Sequence, residues 1–277
     1  RPTSTVIARL QAAGFSIAAM QHGVTLELVD CGLITAPAIQ AAIRFHCLDG
    51  GVLVTGSHNA LDQNGLKFLT GAQEPEPDSY NDGGAVLDGS KRRPLIAAAR
   101  ARLRAVASGR DALCERANDW LSSPQELSVL RESGYVESVQ RTLQIDDEEG
   151  QQLRRRCDEL GRRLVVDCNG GAGATIVPAL LRRFVSVQAL HAEPGAFAHG
   201  IEPVGDALLD ASRVLTDTGA ELAVVLDADA DRGNLVVARD GDTPDMLGPQ
   251  QVAALSVLSM LAWVENRVER YLGRPGQ

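Results

Sequence analysis

No apolar run in this 277-residue sequence approaches the length of a membrane span, and no charged-then-apolar leader opens it. Basic residues are also in deficit. Lys and Arg number 27 against 36 Asp and Glu, a formal net charge of −9, so there is no basic surplus to neutralise a nucleic-acid backbone. A local basic pocket for one small phosphorylated ligand remains compatible with that balance. Cysteine is sparse and scattered: Cys31, Cys47, Cys114, Cys157 and Cys168 never form a CxxC pair. A disulfide framework and a cysteine-based structural zinc site are thereby disfavoured, and reduced thiols in a cytoplasmic protein are expected.

What is present is ordinary for a globular chain, with 44% hydrophobic and 23% charged residues. The length suffices for two domains, each burying its own core. The first residues read as though the chain starts partway through a domain, with Thr3 and Ser4 as caps of a helix. A strand is expected over 24–29, and Thr35 and Pro37 suit the start of a helix running to Phe45. Val52-Leu53-Val54 forms a short apolar strand, so the serine-containing loop TGSHNALDQNGLK (55–67) falls past a strand's carboxyl end, where open α/β sheets place ligands. Residues 74–91 read as a polar loop and 94–120 as helical. The composition turns acidic at Ile145-Asp146-Asp147-Glu148, the expected domain boundary.

The second half alternates more plainly. Strands are expected over 163–167, 185–190, 221–226 and 234–239, with helices over 174–183, 206–218 and 249–271. This order predicts an α/β fold: two consecutive Rossmann-like domains with mainly parallel sheets. Gly171-Ala172-Gly173 lacks a third glycine at position 176, which is isoleucine, so a tight connection is expected there and not a dinucleotide site.

Two clusters point to chemistry. Asp227, Asp229 and Asp231 alternate with alanines after a buried strand, and carboxylates so crowded repel one another unless a cation joins them. Oxygen-only ligands suit magnesium or manganese. An EF-hand is excluded, because its glycine and glutamate positions hold Arg232 and Ala238. Ser57 lies beside Gly56 and His58, with Asn59 and Lys67 nearby. The loop matches neither the G-x-S-x-G elbow nor a Walker loop. On its own Ser57 reads as a turn residue; a hydroxyl, an imidazole and an ammonium together suit a phosphate ester.

TGSHNALDQNGLKF resembles the active-site loop of the α-D-phosphohexomutases (phosphoglucomutases and phosphomannomutases), T-[AG]-S-H-N-P followed by N-G-x-K. LDADADR resembles their metal loop, D-G-D-[AG]-D-R. VVDCNGGAGA (165–174) is similar to the opening of their second domain, HAEPGAFAHGIEP (191–203) to a later stretch of it, and RESGYVESV (131–139) to the exit from the first. Ala60 departs from the family's proline and Ala228 from its glycine. The Gly56 form of the loop is similar to that of bacterial enzymes accepting both glucose and mannose phosphates.

The resemblance implies a phosphorylated hexose as substrate and Mg2+ as cofactor. It implies Ser57 as the phosphate carrier, joining Asp227, Asp229 and Asp231 around the metal. His58 and Lys67 would assist proton transfer and charge stabilisation, while Asn59 and Arg232 would contact phosphate. It divides the chain into domain 1 over 1–146, domain 2 over 147–241 and the start of a third domain over 242–277. The sugar-recognition and phosphate-binding loops of the family's third and fourth domains have no match here, nor does its first strand with its arginine. Two classes of function follow: a phosphohexomutase, or a catalytically incompetent metal- and phosphate-binding fragment of one. A metal-dependent phosphatase is a third, marked by phosphate release that survives Ser57→Ala.

Overall fold

A computed structural model describes residues 1, 3–72, 83–106, 110–122, 127–130, 132–239 and 241–271. They form two compact units. The first comprises Arg1–Glu149 with Ala228–Asp231, the second Gly150–Asp227 with Arg232–Gln277.

In the first unit the elements are α1 (Ser4–His22), β1 (Val29–Asp30), α2 (Ala36–Phe45), β2 (Gly50–Val54), β3 (Leu66–Thr70), α3 (Gly89–Val106), α4 (Arg110–Ser122), β4 (Ser128–Val129) and α5 (Tyr135–Leu143). Thr35 caps α2 as expected: its Oγ1 accepts the Ala38 N–H at 3.2 Å, and Pro37 sits where no helical donor is needed. Thr3 occupies the cap position of α1 but makes no side-chain cap bond. Ala36, Ile39 and Ile43 of α2 pack on Leu53 and Leu69, which gives this unit its core.

Three expectations need correction here. The strand foreseen over 24–29 reduces to Val29–Asp30, paired in parallel with β4. The helical stretch 94–120 is two helices, α3 and α4, and α3 begins at Gly89, inside the stretch read as loop. Asp88 explains that start, its Oδ1 accepting the Ser90 and Lys91 N–H groups at 2.7 and 3.0 Å. Residues 74–82 of the polar loop lie outside the described residues. Finally, the serine loop is followed by a strand, because β2 pairs antiparallel with β3, Leu53 opposite Lys67 and Val54 opposite Leu66.

The division between the units falls within α6 (Asp147–Glu159), after Glu149. The further elements of the second unit are β5 (Arg163–Asp167), α7 (Val177–Leu181), β6 (Ser186–Leu190), α8 (Leu209–Thr218), β7 (Leu222–Leu226), β8 (Gly233–Arg239), β9 (Asp242–Met246) and α9 (Pro249–Tyr271). The sheet order is β6-β5-β7-β8-β9. The first three strands are parallel, and β8 and β9 run antiparallel, so the sheet is mixed. The reason is length. A parallel return needs a crossover of about a dozen residues or more, and only 227–232 separate β7 from β8. Helix 174–183 shortens to a 3-10 turn plus α7.

Val165, Val225 and Val236 of the sheet are fully buried against Leu208 and against Ala211 and Leu215 of α8. Cys31, Cys47, Cys157 and Cys168 are free thiols. Burial pushes the Cys168 thiol up to about 11, and Asp167 beside it adds to the shift. Among the described residues no helix is long and apolar enough to cross a membrane.

Candidate functional site

The β2–β3 hairpin presents the serine loop. The Thr55 N–H donates to the Gly65 carbonyl at 3.0 Å, closing the loop's base. Ser57 sits just beyond, half-buried, with its backbone in the left-handed region at φ 49. For a non-glycine residue that conformation is strained and survives only where the surroundings enforce it. The enforcing group is Thr55, whose Oγ1 accepts the Ser57 N–H at 2.9 Å. His58 and Asn59 are exposed next to Ser57.

Arg1 gathers the rest of the loop. Its guanidinium donates to the carbonyls of Ser57 (2.6 Å), Asn59 (2.9 Å), Gln63 (2.8 Å) and Ala60. Gly56 leaves the room this needs, since a Cβ there would lie 2.4 Å from Arg1 Cζ and 2.5 Å from the Gln63 carbonyl oxygen. Arg1's part has no signature in the sequence, because the carbonyls it collects lie more than fifty residues away along the chain. Hydrogen bonds from a charged donor contribute about 1.5–3 kcal/mol, and a tenfold change corresponds to about 1.4. Arg1→Ala is therefore expected to speed amide exchange over residues 57–63 at least about tenfold, with β5 and β7 unchanged, as read by hydrogen-exchange mass spectrometry.

The aspartate loop joins β7 to β8. Asp227 is fully buried, Asp229 nearly so and Asp231 exposed. The Asp227 N–H donates to the Arg232 carbonyl and its Oδ1 accepts the Arg232 N–H, both at 3.2 Å, which closes the loop. Ala230 takes the left-handed turn at φ 53, while Ala228, standing where the family has glycine, does not need positive φ. The alanine there costs the backbone nothing.

Within the first unit the two loops are bonded together. Asp229 Oδ2 accepts from Thr55 Oγ1 at 3.0 Å and from Lys67 Nζ at 2.8 Å, and the same ammonium reaches Asp231 Oδ2 at 2.7 Å. The Asp229 carbonyl accepts the Ala36 N–H that opens α2, at 2.8 Å. Burial pulls the Lys67 pKa down, but hydrogen bonds and charges from Asp229 and Asp231 outweigh it and hold the pKa above its ordinary value. Lys67 is thus a fixed cation among carboxylates. Arg232 in this structure lies near carboxylates, with Nε 3.9 Å from Asp227 Oδ2 and Nη1 3.6 Å from Glu202 Oε1.

Asp227, Asp229 and Asp231 each offer an oxygen within 4.8 Å of the others. Asp229 Oδ1 is a buried oxygen that accepts no hydrogen bond among the described residues. An all-oxygen set containing such an atom fits a hard divalent cation.

The sequence profile of the phosphoglucomutase/phosphomannomutase α/β/α domain I matches residues 1–81, and that of domain II matches 133–241. The chain belongs to this family, the α-D-phosphohexomutases. Among its curated relatives, a phosphoglucosamine mutase of Acidothermus cellulolyticus is 30% identical over 274 residues, 96% of this chain and 50% of that protein. A probable phosphoglucosamine mutase of Methanopyrus kandleri is 28% identical over 222 residues, 78% of this chain and 41% of its own. The chain spans about half the length of the curated relatives it matches. The crystal structure of a putative phosphomannomutase from Thermus thermophilus superposes with a TM-score of 0.55 at 20% identity, covering 91% of this chain and 53% of that one, a likeness of fold.

Proposed function

We propose that this chain is the phosphotransfer portion of a magnesium-dependent mutase interconverting hexose 1-phosphate and hexose 6-phosphate through a phosphoserine and a bisphosphate. The observation carrying this reading is Thr55 Oγ1, which accepts the Ser57 N–H and donates to Asp229 Oδ2, tying the candidate carrier directly to the candidate metal loop. In this reading the sugar hydroxyl oxygen bonds to phosphorus as the bond to Ser57 Oγ breaks, and the hydroxyl proton passes to a nearby base. The second phosphate of the bisphosphate then returns to Ser57. His58 and Lys67 assist proton transfer and stabilise charge, and Asn59 and Arg232 contact phosphate. Asp227, Asp229, Asp231 and the phosphoserine would hold the magnesium ion, which would supply charge stabilisation.

The named relatives make glucosamine phosphate the substrate to test first, ahead of glucose and mannose phosphates. Domain boundaries at 146/147 and 241/242 belong to the same proposal. The second reading is a metal- and phosphate-binding piece without turnover.

The test incubates the chain with a hexose 1,6-bisphosphate and magnesium. One phosphoryl group should appear on Ser57 by mass spectrometry and be absent from Ser57→Ala. A coupled assay with the three hexose 1-phosphates then separates the readings. Phosphorylation with turnover supports the mutase, and phosphorylation without turnover supports the fragment. Neither result in a chain with native circular dichroism sinks both, and free phosphate released by Ser57→Ala indicates a phosphatase.

A further inference from the structure

A second group of ligand-type side chains lies in the second unit and takes no part in the proposed phosphotransfer. Asp167, fully buried, ends β5 opposite Leu190 of β6, so the next residue, His191, emerges beside its carboxylate. His191 Nδ1 lies 3.0 Å from both Asp167 oxygens. His199 arrives from the following loop and places Nε2 3.2 Å from Asp167 Oδ2. Buried Asn169 pins that loop. Its Oδ1 accepts the Ala198 and His199 N–H groups at 3.0 and 3.2 Å, and its Nδ2 donates to the Gly200 carbonyl at 3.0 Å.

The proton positions are restrictive. His199 Nδ1 lies 2.9 Å from the Gly200 carbonyl, which can only accept, so Nδ1 carries the hydrogen. A neutral ring then directs the Nε2 lone pair at a carboxylate oxygen, a repulsive contact unless a cation or proton lies between them. His191 repeats the pattern in mirror form: Nδ1 faces Asp167, and Nε2 lies 3.7 Å from Asp210 Oδ2. Each imidazole therefore turns one nitrogen toward the Asp167 carboxylate; the other nitrogen of His199 is backed by a hydrogen-bonded carbonyl, and that of His191 has the Asp210 carboxylate nearby, beyond hydrogen-bond reach. The His199 arrangement is how metal-bound histidines are oriented.

We infer that Asp167, His191 and His199 form a binding site for a divalent transition-metal cation of zinc's class. Two nitrogens and one carboxylate oxygen suit that class better than magnesium. The spacing agrees as well. Ligand atoms at about 2.0–2.1 Å around a tetrahedral ion are about 3.3 Å apart, and His191 Nδ1 and His199 Nε2 lie 3.0 and 3.2 Å from the same oxygen, Asp167 Oδ2. The fourth corner falls to water on the side of His191, whose side chain is 26% exposed.

The site is tested with the whole chain in excess magnesium, which occupies hard oxygen ligands, by adding zinc against a chromophoric chelator and by adding cobalt. One equivalent of zinc should bind, and cobalt should give the intense visible bands of a four-coordinate ion. His191→Ala and His199→Ala should each weaken binding at least 100-fold, Asp210→Ala about tenfold, and Cys47→Ser, at an exposed thiol outside both clusters, not at all. Binding that persists in a folded His191→Ala chain, through a thiol such as exposed Cys47, would overturn the assignment, as would no zinc binding by the wild type. Nitrogen-15 spectra of the wild-type histidines guard against variants that misfold. Zinc should shift His191 Nδ1 and His199 Nε2, and unchanged resonances mean that a proton, not a metal, joins these groups.

Discussion

Lys67→Met should lower the thermal stability of the first unit sharply in magnesium-free buffer and make it strongly magnesium-dependent. The ammonium lies 2.8 Å from Asp229 Oδ2 and 2.7 Å from Asp231 Oδ2, and the Asp229 side chain is only 4% exposed. Removing one partner of such a pair leaves a buried charge uncompensated, which costs about 3–5 kcal/mol. Lys67 is itself 24% exposed, so about 3 kcal/mol is the reasonable figure here. Methionine keeps most of the side-chain volume, and the effect is therefore electrostatic. Thermal melts of both proteins across a magnesium titration provide the measurement. The variant should gain more from magnesium than the wild type does, because the ion replaces a missing cation in one and competes with a resident cation in the other. Equal magnesium responses would show that Lys67 and the metal ion do not share these carboxylates.

Gly170→Ala should be the most damaging single-methyl change in the second unit. Gly170 holds φ +61, and a Cβ there would meet the Ala196 carbonyl oxygen at 2.4 Å and its carbon at 2.6 Å. Those atoms are backbone and cannot swing aside. The glycine also ties two chain segments together: its N–H donates to the His191 carbonyl and its own carbonyl accepts the Gly195 N–H, both at 2.7 Å. Left-handed strain in alanine costs about 1 kcal/mol and overpacking about 1–3 more. Denaturant unfolding should report a loss of about 3 kcal/mol. Gly219→Ala is the control. It shares positive φ, at +66, but an added Cβ meets nothing within 4 Å, so it should cost only the strain of about 1 kcal/mol.

What could be read from the sequence followed from burial. β5, β7 and α8 carry enough apolar residues in the right period to declare themselves, and the alternating aspartates after β7 mark a charged turn with an evident need for a cation. β3 is hidden because its first residues, Leu66, Lys67 and Phe68, belong to the loop motif. β9 was hidden because Asp242-Thr-Pro-Asp-Met has poor strand propensity, and it forms as an edge strand, where Pro244 withholds no needed donor. Local pattern also overstated the strand at 24–29, where pairing within the described residues extends to Val29 and Asp30 alone. Arg1 and the Asp167–His191–His199 cluster were out of reach for another reason. Their partners are fixed by tertiary register, β5 against β6 in one case and a folded hairpin in the other, and neither spacing has a local signature.

The register of β5 and β7 has an electrostatic consequence. These neighbouring parallel strands end at the same edge of the sheet, with Asp167 opposite Val225 and Asp227 two residues further along. Two wholly buried aspartates therefore lie roughly 8 Å apart, given strand spacing and rise. At that separation unit charges interact by on the order of 2 kcal/mol at the effective dielectric of a protein. Neutralising one carboxylate, by proton or cation, relieves the other and weakens its own hold on a positive partner. Ligation at the two positions is thus expected to be anticooperative, and by reciprocity each cation lowers the other's affinity by the same factor.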